Sequence, residues 1–208
     1  MEILKRKSIL IITIILFSVN ITNAQNYEEI IQAFSSSYTQ ETNGEYSKAI
    51  NTLKAIYDEN SYEINLRLGW LNYMLGLFTE SQTYYQKAIT LKPYSVEAKL
   101  GFAYPASGLG NWEQVKKKYF EILKIDPQNS LVNYRLGSIY YGKEDYISAK
   151  KYFEKVVNLY PFDYDSVIML AWTCLKKSEF REAKVLFNKA LMMKPNDESA
   201  LEGLKLIK

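Results

Sequence analysis

Residues 130–163 read SLVNYRLGSIYYGKEDYISAKKYFEKVVNLYPFD, and the blocks on either side repeat that pattern. Pro161, near the end of the stretch, belongs to a ladder: Pro93, Pro127, Pro161 and Pro195 fall at a fixed interval of 34 residues. Self-similarity of this length outranks local propensity, because each unit can bury its apolar face only against a neighbour. Aligned on the prolines, the columns agree. Twenty-five positions before each proline stand Leu68, Phe102, Leu136 and Leu170, followed by Gly69, Ala103, Gly137 and Ala171. A bulky residue beside a very small one lets a helix insert a knob while a neighbouring backbone comes close. A second stripe holds Phe78, Trp112, Tyr146 and Phe180, then Ser81, Val115, Ala149 and Ala183, then Tyr85, Tyr119, Phe153 and Phe187, and finally Ala88, Ile122, Val156 and Ala190. Steps of three and four residues put these on one helical face. The ladder therefore predicts an all-α solenoid with two helices per unit.

The joints carry their own chemistry. Proline cannot donate to a continuing helix and restricts the residue before it, so each one ends a helix. Two residues later come Ser95, Asn129, Asp163 and Asp197, side chains that accept from the free N–H groups of a helix start.

Working outward to the N-terminus, the pattern gives way to a different layout. Lys5-Arg6-Lys7 leads into an apolar run from Ser8 to Val19, which closes with Thr22-Asn23-Ala24. The order of basic, apolar and small-residue regions predicts an export signal over 1–24. A retained anchor is the alternative, but such a span needs about 20 apolar residues and this run is shorter. Removal of 1–24 takes away three basic residues and one acidic residue, leaving 23 and 22. So balanced a chain offers no bulk attraction for nucleic acid, and it keeps no membrane span once the signal is gone. Cys174, the one cysteine, has no disulfide partner within the chain.

These columns resemble the tetratricopeptide repeat, a helix–turn–helix unit with small and aromatic residues in fixed columns and proline near its end. The resemblance covers roughly residues 30 to 208 and implies a right-handed superhelical solenoid. It divides the chain into 25–61, 62–95, 96–129, 130–163 and 164–197, with a capping helix over 198–208. The unit at 62–95 departs from the family at Ser81, where alanine is favoured. The 25–61 unit is degenerate: it keeps Gly44-Glu45-Tyr46 and Ala49-Ile50, has no proline, and carries Ser35, Ser36 and Ser37 where a bulky–small pair is expected. A first repeat can carry such a polar face, since no neighbour stacks there. In the cap, Ala200, Leu201, Leu204 and Ile207 are expected to face inward.

Catalytic chemistry has little to stand on. The chain has no histidine, which removes the commonest general base and metal ligand and the usual triads. Cys174 falls in an apolar helical segment and is expected to pack as a small hydrophobe. Asp163 and Asp165 are the closest carboxylate pair, but Asp163 already serves as a cap. Lys116-Lys117-Lys118 flanks the stripe of Val115, Tyr119 and Ile122 and reads as a solvated outer face. No enzyme activity, cofactor or metal site is expected.

The resemblance instead implies a binding protein, because in that family the first helices of successive repeats line a concave groove. Carried over residue by residue, the lining holds Arg67, Trp70, Tyr73, Tyr104, Tyr134, Arg135, Tyr141 and Trp172. Tryptophan, tyrosine and arginine are the side chains enriched at binding hot spots. Some of these positions also face the next repeat, so packing is the competing role. Leu66 with Trp70 and Leu100 with Tyr104 stand where one subgroup carries a lysine-and-asparagine carboxylate clamp, so that clamp is absent. Such a groove suits a protein segment with apolar anchors, and with an acidic residue near Arg67 or Arg135. A structural subunit working through its convex or terminal faces, and a glycan-contacting accessory module, stay open as alternatives. If the chain is bacterial, export places it in the periplasm or at the outer membrane; otherwise it is secreted.

Pro105 alone breaks the ladder. It falls inside a first helix, where proline costs about 3 kcal/mol, and Gly108 and Gly110 follow closely. A tolerated kink is the expected reading, and a hinge at Pro105 and Gly108 that widens the groove beside Tyr104 is the sharper alternative.

Overall fold

A computed structural model describes residues 27–207. The expected export signal lies outside the described residues. The fold is all-α, and among the described residues no strand occurs. Two compact units are present, ending and beginning at Asn111 and Trp112.

The first unit contains α1 (27–42), α2 (Tyr46–Ala55), α3 (Tyr62–Met74), α4 (Phe78–Leu91) and α5 (Val96–Gly108). Its core gathers Ala49, Ile50 and Leu53 of α2 with Ile64, Leu68 and Leu71 of α3. Full burial of one such leucine or isoleucine contributes about 1.5–3 kcal/mol. The second unit contains α6 (Trp112–Ile125), α7 (Ser130–Gly142), α8 (Tyr146–Leu159), α9 (Tyr164–Lys176), α10 (Phe180–Met193) and α11 (Glu198–Leu206). Phe153, Val167, Ala171, Phe187 and Ala200 meet in its core.

The regular prolines all lie between helices, and the polar residues after them cap the next one. Ser95 accepts from the N–H of Ala98, Asn129 from Val132, Asp163 from Ser166 and Asp197 from Ala200. Ser61 does the same for Ile64 where no proline precedes it. A second joint lies within each unit, at the turn between paired helices. There Gly76, Gly110, Glu144 and Ser178 occupy one 34-residue column, and all have positive φ, between 60° and 78°. The column holds the left-handed residue that closes a helix C-terminus.

Another column ties helices to the turns before them. Asn65 Nδ2 donates to the Glu59 carbonyl at 3.0 Å, Asn133 Nδ2 donates to the Pro127 carbonyl at 3.2 Å, and Lys99 Nζ donates to the Pro93 carbonyl. The exceptional Ser81 also has its reason. Fully buried, it donates from Oγ to the Gly69 carbonyl at 2.7 Å, bonding α4 to α3 through a hydroxyl that alanine lacks.

Three local expectations are corrected. Ser37 is buried rather than part of a polar outer face, because it lies on the same side of α1 as buried Ala33, one turn earlier. Lys118 is buried as well, on the side of α6 that carries Val115 and Tyr119 and three residues from its ion-pair partner Glu121; of the three lysines only Lys117 is fully exposed. In α11, Leu201 points outward and Gly203 takes the inner face, since the Phe187 ring fills the space where a Cβ would stand.

Candidate functional site

Within the first unit, α1, α3 and α5 enclose a cleft of about 760 Å³. From α1 come Phe34 and Tyr38; from α3 Tyr62, Glu63, Leu66, Arg67 and Trp70; from α5 Val96, Glu97, Leu100, Gly101 and Tyr104. Tyr85 of α4 completes the lining. The helical period explains the set, since Leu66 and Trp70 are one turn apart on α3, as are Leu100 and Tyr104 on α5. Close approach is possible because Gly101 has no side chain. A Cβ there would fall 2.1 Å from the Tyr85 ring, which is buried between α3 and α5.

Of the expected groove residues, four meet here. Trp70 lies 5.8 Å from Tyr73 between ring centroids, and Tyr73 lies 5.5 Å from Tyr104, so the three rings form a connected series. Tyr73 also packs on Phe78, behind the cleft rather than in its lining. Arg67 is buried. Its Nη1 pairs with Glu41 Oε2 at 2.5 Å, while Glu41 Oε1 accepts from Trp70 Nε1 at 2.5 Å. The Tyr38 ring covers the guanidinium, with Cζ 3.8 Å from its centroid. Thus the chain's own Glu41 stands where an acidic partner residue was expected.

The other four belong to the second unit. Tyr134 lines a shallower pocket of about 430 Å³ with Tyr160, Asp163, Asp165 and Ser166. Burial and the nearby Asp165 carboxylate push the Tyr134 phenol above its ordinary value. Arg135 Nη1 donates to Tyr119 Oη at 3.1 Å, and Tyr141 packs edge-on against Tyr146. Trp172 lies edge-on to Phe187 and donates from Nε1 to Ser199 Oγ at 2.8 Å. At the position of the expected kink, α5 runs unbroken through buried Pro105, and Gly108 makes room for the Phe78 ring.

Sequence reasoning missed Phe34, Tyr38 and Glu41, all contributed by the degenerate first repeat. A signal was present: their spacing of four and then three residues places them on one helical face. It was hidden because no proline fixes that repeat's register.

Among the described residues, Cys174, Glu179 and Glu182 form the one group with the ligand types and proximity to hold a metal ion. A cation is already there. Lys150 Nζ donates to Glu179 Oε2 at 2.8 Å and to Glu182 Oε2 at 2.6 Å. Burial works against that ammonium, but the two carboxylates outweigh it and raise its pKa. Burial pushes the Cys174 thiol up to about 12, so it stays protonated and packs as a hydrophobe.

The model of the tetratricopeptide repeat matches residues 62–95, 131–163 and 164–197. The chain is 27% identical over 181 residues to the TPR repeat-containing protein YpiA of Bacillus subtilis, covering 86% of this chain and 42% of that one. It therefore spans less than half the length of that relative. A tetratricopeptide repeat protein from Parabacteroides merdae is similar in structure, with a TM-score of 0.74 at 20% identity over 86% of this chain and 72% of that one. MamA from Desulfovibrio magneticus gives 0.69 at 19% identity over 82% and 97%. At such identities the likeness speaks for the fold. Capped helix pairs recur every 34 residues, and over 62–95, 131–163 and 164–197 this chain carries tetratricopeptide repeats.

Proposed function

We propose that the protein is a non-enzymatic interaction scaffold that holds a segment of a partner protein in the cleft between α1, α3 and α5. The observation that carries this reading is the cleft itself: Leu66, Leu100, Trp70 and Tyr104 present apolar and aromatic surface on rigid stacked helices. Side chains already held in place lose little entropy when a partner docks. The basic-then-apolar layout of residues 1–24 supports export, and with it a role in the assembly of a bacterial cell envelope. Among the described residues no helix is long and apolar enough to cross a membrane.

The test is a triple variant, Leu66→Ala, Leu100→Ala and Tyr104→Ala, assayed for co-purification of partners from native cells. Recovery should fall at least about tenfold while far-UV circular dichroism keeps its helical signal. Unchanged recovery from a folded variant would contradict the cleft reading. Ile147, Phe162 and Val185, which are 76%, 66% and 62% exposed, favour a second reading in which the outer faces of the second unit dock into a larger assembly. Unchanged recovery would support it.

A further inference from the structure

The cleft of the first unit leaves two electrostatic demands unmet. The first belongs to Arg67, which is 7% exposed. Glu41 takes one Nη1–H, yet Nε and Nη2 are buried with no acceptor. Buried donors without partners are costly and uncommon in native proteins. Nε–H and Nη2–H lie on one edge of the guanidinium and form a fork for two acceptor oxygens. Tyr38, 55% exposed, lies over the face of that guanidinium and lines the same cleft.

The second demand belongs to Glu97 on α5. Its carboxylate is exposed, lines the same cleft and accepts from Tyr62 Oη at 3.3 Å. Among the described residues it has no ion-pair partner, whereas Glu63 beside it is met by Lys92 at 3.0 Å.

Charge decides what the cleft takes. Arg67 cancels Glu41 and Lys92 cancels Glu63, so the lining keeps the single negative charge of Glu97. A second carboxylate on the Arg67 edge would add to that charge. Main-chain carbonyls satisfy the same donors and add none, and a cation on the same segment answers Glu97. We propose that the cleft is selective for a basic, apolar segment, with main-chain carbonyl oxygens on Arg67 and a lysine or arginine on Glu97. This rests on the cleft reading above and names the chemistry of its partner.

The test uses fluorescence anisotropy of the full chain with three labelled peptides. All share leucine and phenylalanine anchors at helical spacing, and their other positions are lysine, serine or glutamate. The lysine peptide should bind about tenfold tighter than the serine peptide, the glutamate peptide weakest of all, with the differences shrinking as salt rises. Because the chain carries a formal charge of +3, bulk attraction cannot produce that order. Glu97→Gln should remove the lysine peptide's advantage over the serine peptide. Equal binding of the three peptides, lost on Leu66→Glu, would overturn the charge selectivity and leave the cleft reading standing. A glutamate peptide that binds best would assign the Arg67 edge to a carboxylate and overturn the proposal. No binding by any peptide would overturn both.

Discussion

Ser178 and Glu144 hold φ angles of 61° and 60° in a column where Gly76 and Gly110 do the same work. A Cβ in the left-handed region costs roughly 1 kcal/mol, and glycine avoids it. Both side chains are exposed, so their removal sacrifices no packing. Ser178→Gly is therefore expected to stabilise the protein by about 0.5–1 kcal/mol, read as a higher midpoint in urea. A lower midpoint would mean that the serine side chain contributes something beyond the turn. This column shows how single residues were and were not legible. Proline declares a helix end whatever surrounds it, but a left-handed turn built on glutamate or serine leaves no mark in the residue type. For the same reason the carbonyl-binding column of Asn65, Lys99 and Asn133 was invisible: its members share a donor and little else.

Elements are joined by polar contacts that repeat at the same interval. Tyr62 Oη lies 2.8 Å from Ser95 Oγ, and Tyr164 Oη donates to Asp197 Oδ2 at 2.6 Å, so the first residue of α3 and of α9 reaches the cap of the next first helix. In each case a lysine ammonium covers the ring, Lys92 on Tyr62 and Lys194 on Tyr164. The Lys150 cluster couples α8 to α10 differently, through charge. Hydrogen bonds from Lys150 and then Lys177 hold the Glu179 carboxyl down at about 2. A carboxyl depressed on folding adds stability above its unfolded value, near 4.5, and loses it as pH falls toward the folded value. Wild-type stability should thus drop between about pH 5 and pH 2, measured by thermal melts across that range. Lys150→Met should lower stability at pH 7 and flatten the acid limb. An acid limb as steep in the variant as in wild type would show that other carboxylates govern it. Helix pairing itself was readable because apolar periodicity and proline spacing agree. The Lys150 cluster was not, since its members are 29 and 32 residues apart and look like ordinary surface charges.

At the scale of the whole molecule, the repeat type and the all-α architecture followed from the columns, while the cleft was only half legible. Arg67, Trp70 and Tyr104 line a cleft of the first unit. Their wall from α1 was missed, and with it Glu41, which converts Arg67 from a free cation into a neutralised donor. Residues 96–130 are not among those the family model matches, and that stretch contains Pro105 and the division between the two compact units. The central claim is that the cleft of the first unit is the binding surface. Site-specific photo-cross-linking in native cells tests it most directly, with benzoylphenylalanine placed at Leu66 in the cleft or at exposed Thr83 on α4. A discrete protein adduct from Leu66 and none from Thr83 is the predicted result; adducts from Thr83 alone would contradict it.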